Sequence, residues 1–297
     1  MKVEVLMSAY NGERFIMEQL DSIYAQKGVD VSVLVRDDGS TDGTHRLLDA
    51  EQQTGRLRWY AGENLKPAHS FMDLMLHASP DADLYAFSDQ DDVWMEDKLV
   101  AAAHSIGDEE GPALYFCPTR LVDEHLRPLK QVVVHPRLTY GEALILQFVS
   151  GCTMVINKPL LSLVNKYSPA YLRMHDYWIY SLTLAIGGKV IYDDEPHINY
   201  RQHSHNAVGM SSSWIKQWKE RIGRVKANEH IRQQTAQQLL IGYGEQMSVQ
   251  NRQLTQNIVD YRHSLKAKCR LLFSRQLYAN SPVINLTSRL ALLFNRF

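Results

Sequence analysis

Three short apolar runs, each breaking off into polar turn residues and separated by helical patterns, constrain this chain more than any other feature. Val3–Met7 leads into Ser8-Ala9-Tyr10-Asn11-Gly12. Val31–Val35 leads into Arg36-Asp37-Asp38-Gly39-Ser40-Thr41-Asp42-Gly43, and Leu84–Phe87 into Ser88-Asp89-Gln90-Asp91-Asp92-Val93-Trp94. A near-continuous apolar run fits a strand buried on both faces, as in a parallel sheet covered by helices. Between the runs, Phe15, Ile16, Leu20, Ile23 and Tyr24 share one helical face over Glu13–Ala25. Asp42 is placed to cap a helix carrying Leu47 and Leu48. Leu57–Tyr60 reads as a short strand, and Ala68–His77 and Lys98–Ile106 as helices. The alternation predicts an α/β chain with a mostly parallel, doubly wound sheet and flanking helices.

Ligands of such sheets bind at the carboxyl ends of the strands, where these polar turns lie. Gly39 and Gly43 supply turn geometry, and Asp42 the cap, but neither accounts for two adjacent carboxylates at a strand end. A carboxylate there can accept the imide N–H of uracil or thymine, a role for Asp38 or Asp37. Alternate residues of an extended segment point the same way, so Asp89 and Asp91 can face one ligand while Asp92 faces elsewhere. An acid-x-acid pair suits a hard divalent cation, which can clamp a diphosphate. A nucleoside diphosphate is therefore the expected ligand.

Farther along, Ala113–Val122 reads as one long strand, Cys152–Ile156 as another, and Gly141–Phe148 and His175–Ile186 as helices. Lys189–Asp193 and Ile198–Arg201 are short strands. From Ser211 the composition turns to Gln, Arg, Lys and Asn at helical spacing, which sets a boundary near 205–212. The charge divides in the same place: residues 1–200 carry a net −12 and residues 201–297 a net +11. The acidic part suits a metal ion and the basic part a phosphate-bearing surface. Trp214, Trp218, Ile222 and Val225 form one helical stripe among Lys216, Lys219, Arg221, Arg224 and Lys226, and Leu286, Leu290, Leu293 and Phe297 form a second. A basic amphipathic helix with Trp can lie on an anionic membrane; docking of the stripe on the catalytic domain is the alternative. No recognised nucleic-acid motif accompanies the charge, so nucleic acid is not an expected partner.

No uncharged apolar run reaches the ~18 residues of a membrane span. Met1-Lys2-Val3-Glu4 enters a strand directly, without a signal-peptide pattern. Cys117, Cys152 and Cys269 lack metal-ligand spacing and are expected as buried apolar residues in a reducing cytosol. The expected location is cytoplasmic, with peripheral contact at the inner face of the cell membrane as the variant that the basic tail allows.

Taken in order, Ser8-Ala9-Tyr10-Asn11-Gly12, Arg36-Asp37-Asp38-Gly39-Ser40-Thr41-Asp42-Gly43-Thr44 and Ser88-Asp89-Gln90-Asp91-Asp92-Val93-Trp94 resemble glycosyltransferase family 2. The Ser-Asp-Gln-Asp-Asp-x-Trp form resembles its rhamnosyltransferase-like branch. The resemblance covers roughly residues 1–210 and implies the A-type glycosyltransferase fold, with a nucleotide-sugar half at about 1–110, an acceptor half at about 111–210, and a basic helical extension at 211–297. It implies inverting transfer from a nucleotide-diphosphate sugar with Mg²⁺ or Mn²⁺ on the diphosphate. Ala9, Tyr10 and Glu13 would line the nucleotide site with Asp37 and Asp38, Asp89 would lie near the ribose or sugar, and Asp91 would hold the metal. Val149-Ser150-Gly151-Cys152-Thr153-Met154 resembles the acceptor-side loop, with Gly151 and Met154, and Trp178 beyond, on that side; a plain turn into a buried strand is the competing reading. His175-Asp176-Tyr177-Trp178 stands where the family shows its base, giving Asp176 that role, with a helix N-cap as the bland alternative. Arg201-Gln202-His203-Ser204-His205-Asn206 resembles a branch stretch in which His203, preferred over His205, completes the metal shell or touches the diphosphate.

The branch analogy points to rhamnose from a dTDP donor and to a cell-surface polysaccharide or lipid-linked acceptor. A metal-dependent nucleotidyltransferase also uses carboxylates on a parallel sheet, but for a triphosphate loop this first turn offers only Gly12 and Arg14. An inactive sugar-nucleotide-binding subunit is disfavoured by the intact Asp38, Asp91 and Asp176. Oligomeric state is not legible.

Overall fold

Strands and helices alternate from the start as β1 (Lys2–Ala9), α1 (Ile16–Tyr24), β2 (Asp30–Asp37), α2 (Thr44–Gln53), β3 (Arg58–Ala61), α3 (Lys66–His77) and β4 (Leu84–Ser88). The computed structural model describes residues 1–131, 135–203 and 230–297. The pleat sorts β1 between two cores: Val3, Val5 and Met7 join one apolar cluster with Ile16, Leu20 and Ile23 of α1 and with Leu99 and Ala102, and Leu6 joins the other. Ile16, Leu20 and Ile23 of α1 are all buried, the one-face spacing of an amphipathic helix.

Beyond β4 come β5 (Val93–Trp94), α4 (Lys98–Ile106), β6 (Ala113–Phe116), β7 (Arg120–Val122), α5 (Tyr140–Ile145), β8 (Val155–Asn157), α6 (Lys158–Val164), α7 (His175–Ala185), β9 (Lys189–Tyr192) and β10 (Ile198–Arg201). The main sheet has the order β3-β2-β1-β4-β8-β6-β9. Only β8 runs against its neighbours; every other pairing in this sheet is parallel. The run expected as a single strand over Ala113–Val122 divides instead at Cys117-Pro118-Thr119, because Pro118 has no N–H for a ladder. Its second half, β7, joins β10 and β5 in a small separate sheet.

Four further helices complete the described chain: α8 (Ile231–Tyr243), α9 (Val249–Asp260), α10 (Leu265–Leu272) and α11 (Pro282–Leu293). They share the core rather than standing apart from it. Leu239, Tyr243, Leu254, Ile258, Leu271 and Leu292 belong to the same apolar cluster as Leu144 of α5 and Trp178 of α7. The expected boundary near 205–212 and the Trp214–Val225 stripe lie outside the described residues, as do His205 and Asn206. The second stripe divides. Leu286, Leu290 and Leu293 face outward, whereas Asn295 takes a positive φ of 56° and turns Phe297 back against Tyr261, into the core. Cys117 and Cys152 are buried as expected, but Cys269 is exposed on α10, whose inward positions are Ala267 and Leu271. Among the described residues no helix is long and apolar enough to cross a membrane.

Candidate active site

The order β2-β1-β4 puts the reversal of winding between β1 and β4, where doubly wound sheets open a crevice at their carboxyl edge. The three polar turns meet there and are fastened to one another. Gln90 clamps the first turn by accepting from the Tyr10 N–H (2.8 Å) and donating to the Tyr10 carbonyl (2.9 Å). Gly12 must stay small, because an added Cβ would lie 2.3 Å from Gln90 Oε1. Asn11, at φ 49°, donates its N–H to Ser40 Oγ and accepts from the Thr41 N–H, each at 2.8 Å; asparagine tolerates this left-handed backbone. Glu13 accepts the Gly43 N–H at 2.7 Å. Ala9 is buried beneath this junction, and Tyr10 is exposed at its rim.

Asp37 and Asp38 lie at the end of β2, both buried and both fully engaged. Asp37 accepts from the N–H groups of Gly39 and Ser40, from Ser40 Oγ and from His45 Nε2. Asp38 accepts from the Arg36 guanidinium and from the N–H groups of Leu65 and Lys66, the latter held at φ 63°. Arg36 is itself buried and also donates to Asp73. These carboxylates therefore build the turn. Breaking a buried ion pair from one side costs ~3–5 kcal/mol. Because Arg36 keeps Asp73, Asp38→Ala is expected at the low end, about 3 kcal/mol, read from the urea midpoint with an unchanged slope. An unchanged midpoint would show that the pair is not structural.

The turn after β4 carries the acid cluster. Asp92 points inward, fully buried: Oδ1 accepts the Arg201 N–H at 3.1 Å, and Oδ2 makes no conventional hydrogen bond and faces the Cys152 thiol. Ligand atoms of Asp89, Asp92 and Cys152 lie within 4.8 Å of one another. Desolvation, then the charges of Asp91 and Asp176, push Asp89 up to about 7, and Asp92 is driven well above the usual carboxylate range by the same burial and by Asp89 and Asp91. Below them lies Lys98, fully buried, its Nζ 2.6 Å from the Cys152 carbonyl and 3.1 Å from the centre of the Trp94 ring. Burial lowers it to about 8, against the pull of the neighbouring Cys117, Cys152, Asp92 and Asp89.

Asp91 turns the other way. Its Oδ2 meets His203 Nε2 at 2.8 Å, and the His203 ring packs on Phe15 with centroids 5.1 Å apart. The register of β10 explains the meeting: Ile198 pairs with Trp94 and Asn199 with Val93, and Arg201 donates through Nε to the Asp91 carbonyl. Two residues farther on, His203 arrives at Asp91. Neighbouring carboxylates with an imidazole beside them are a donor set that fits a divalent cation of the Mg²⁺ or Mn²⁺ type.

Asp176 comes to the same edge because β8 is reversed. With Ala86 opposite Val155, the turn before β8 lies beside the end of β4. In that turn the Gly151 N–H donates to Asp176 Oδ2 at 3.2 Å, and Gln147 donates to Oδ1 at 3.1 Å. Asp176 is not the helix cap. Met174 occupies the N-cap position, and Asp176, in the first turn of α7, accepts the Tyr177 N–H at 2.6 Å. Burial raises it to about 6, although all three hydrogen bonds pull it down. His175 is buried on Phe71, ring centroids 4.0 Å apart, with neither ring nitrogen hydrogen-bonded, and burial holds it neutral with a pKa near 3. Gly151 makes the fit possible, since a Cβ there would lie 2.5 Å from His175 Nε2. Met154 and Trp178 do not reach the site: both are within the core cluster, Trp178 packed between Tyr167 and Tyr243. Their place on an acceptor face is corrected accordingly, because the strand and the helix that carry them turn these side chains inward.

The structure thus brings together Asp89, Asp91, His203, Gly151 and Asp176, fastens Tyr10, Glu13, Asp37 and Asp38 around them, and adds Gln90, Lys98, Gln147 and Asp92. Only proximity in the fold distinguishes Lys98 or Gln147 from other lysines and glutamines of the sequence.

Comparison with known proteins identifies the family and the fold. The family model "Glycosyl transferase family 2" matches residues 4–162. The dTDP-rhamnosyl transferase RfbG of Shigella flexneri is 29% identical over 236 residues, 74% of this chain and 79% of that protein. Among solved structures, S. aureus TarS 1–349 in complex with UDP-GlcNAc superposes with a TM-score of 0.57 at 17% identity, covering 100% of this chain and 93% of that one. The mannosyltransferase PcManGT of Pyrobaculum calidifontis, in complex with GDP-Man and Mn²⁺, gives a TM-score of 0.55 at 18% identity, covering 98% and 84%.

Proposed function

The chain belongs to glycosyltransferase family 2, and on that premise we propose that it moves a deoxyhexose, rhamnose from a dTDP donor, onto a hydroxyl of a saccharide acceptor carried on a lipid, with inversion at the anomeric carbon. The observation that carries this reading is that β8 pairs reversed with β4, so the Gly151 turn that donates to the buried Asp176 at 3.2 Å lies beside the end of the strand whose following turn carries Asp89 and the His203-bound Asp91. The donor identity follows the RfbG relative, whose name states a dTDP-rhamnosyl transferase.

In this mechanism the nucleotide lies over Ala9, Tyr10 and Glu13, with its base toward Asp38 and Asp37. Asp91 and His203 would hold Mg²⁺ or Mn²⁺, which when bound supplies Lewis-acid stabilisation to the leaving diphosphate, with Asp89 toward the ribose or sugar. Asp176 accepts the proton of the acceptor hydroxyl as its oxygen bonds to the anomeric carbon and the bond from that carbon to the diphosphate oxygen breaks. The electron pair leaves on the nucleoside diphosphate. A single displacement from the opposite face inverts the centre. Gly151, with no side chain to clash with His175, keeps its backbone N–H close to Asp176.

The test is release of nucleoside diphosphate by the purified full chain from dTDP-rhamnose, UDP- and GDP-sugars with Mn²⁺. The expected result is slow hydrolysis of dTDP-rhamnose in preference to the others. Hydrolysis of another donor would change the sugar assignment, and the absence of any donor turnover or binding would defeat the transferase reading.

A further inference from the structure

On the surface formed by α10 and α11, large apolar side chains stand in water beside cations with no acids among them. Phe273 is 83% exposed, Leu265 77%, Phe294 71% and Leu286 59%. Leu290 and Leu293 extend the α11 row. Leu286, Leu290, Leu293 and Phe294 occupy one side of that helix at spacings of four, three and one. The two helices are tied side by side: Lys268 of α10 donates to the Leu293 carbonyl and to Asn295, and Arg289 of α11 donates to the carbonyls of Leu271, Ser274 and Leu277. Those bonds tie the middle of α10 to the end of α11, and the end of α10 with the turn after it to Arg289 of α11. Exposed Arg262, Lys266, Arg270, Arg275 and Arg296 belong to the same hairpin. Residues 261–297 contain seven Lys and Arg and no Asp or Glu, in a chain whose first 200 residues carry a net −12.

We propose that the α10–α11 hairpin docks the enzyme on an anionic lipid bilayer, Leu286, Leu290, Leu293, Phe294 and Phe273 entering the interface while Lys266 and Arg270 meet lipid phosphates. Charge complementarity selects this occupant. An acid-free basic face is attracted to anionic lipid, and exposed Leu and Phe gain by leaving water there, whereas a nucleic-acid backbone would satisfy the cations and leave the leucines wet. The proposal rests on the reading above in that a lipid-carried acceptor is found at such a surface.

The test is co-sedimentation of the full chain, without donor or metal, with vesicles of phosphatidylcholine alone or with about 30% phosphatidylglycerol. Wild type is expected to pellet with the anionic vesicles and to be released as salt rises. Lys266→Glu with Arg270→Glu, and separately Leu290→Ser with Phe294→Ser, are each expected to weaken partitioning at least ~10-fold while donor hydrolysis in solution is unchanged. The proposal is overturned by wild type that does not pellet, by salt-insensitive pelleting, by both variants pelleting like wild type, or by a dimer in solution that Phe294→Ser dissolves without any vesicle uptake. Loss of donor hydrolysis by wild type would instead count against the transferase reading and leave the vesicle result standing by itself.

Discussion

Asp91→Ala is expected to weaken Mn²⁺-dependent donor binding by at least ~100-fold and to remove transfer with it. Groups that merely orient a metal ligand are worth ~10–100-fold in affinity when lost, so a group that itself ligates should cost at least the upper end. Asp91 is the acid of the cluster that turns toward His203 rather than into the core, which leaves it accessible to a cation. The measurement is isothermal titration of donor with and without Mn²⁺ on wild type and variant. Metal-free binding of the nucleotide should be nearly equal in the two proteins, because the contacts given to Asp38, Tyr10 and Glu13 do not involve Asp91. Unchanged affinity in Mn²⁺ would move the cation away from Asp91 and toward the Asp89, Asp92 and Cys152 group. Some global stability should be lost too, since the Asp91–His203 contact is largely buried, the side chains being 16% and 7% exposed, so the urea midpoint should be measured alongside.

The difference between Asp91 and Asp38 illustrates which parts of the site were legible. The acids at strand ends follow from local pattern alone: an apolar run stops, polar turn residues follow, and a parallel sheet puts all such turns on one edge. What each acid does there depends on partners far along the chain. Asp38 is enclosed by Arg36 and by backbone N–H groups 27 and 28 residues away, and Asp92 Oδ1 accepts from the Arg201 N–H, 109 residues away. The motif pattern does not separate a carboxylate that builds the turn from one that faces a ligand.

Strand direction was hidden for the same reason. A short apolar run around Val155 reads equally well parallel or reversed, and only its pairing with Ala86 and Tyr115 shows it reversed, the very feature that carries Gly151 and Asp176 to the site. Burial sense was partly legible. The stripe Leu286, Leu290, Leu293, Phe297 has helical spacing, but α11 stops at Leu293 and the left-handed turn at Asn295 sends Phe297 inward. Lys98 shows the opposite failure, a lysine at a helix start that composition would leave in water and that the fold encloses under the acids.

Asp176→Asn is expected to transfer sugar at least ~100-fold more slowly with donor binding intact, the lower end of what general-base catalysis contributes. A base that acts only as the bond forms belongs to the transition state, so kcat should fall far more than KM changes. The substitution is conservative but not neutral. Asn offers one acceptor oxygen, which can keep the Tyr177 N–H and Gln147 bonds, whereas the Gly151 N–H, now facing an amide NH₂, loses its partner. An orphaned buried donor costs ~1–3 kcal/mol, offset in part because the variant no longer buries a charge, so the thermal midpoint should be measured alongside. The pH profile separates a base from a structural carboxylate. Burial raises Asp176 to about 6, so below that pH the carboxyl is protonated, holds no free base, and kcat should fall as pH falls through the pKa. A cation bound near Asp89 favours the ionised form and draws the midpoint down. In Asp176→Asn this acid limb should vanish from the residual rate, because the titrating group is gone. A variant that keeps near-wild-type kcat, or a residual rate with the same acid limb, would show that Asp176 only fastens the Gly151 turn to α7 and that the proton leaves by another route.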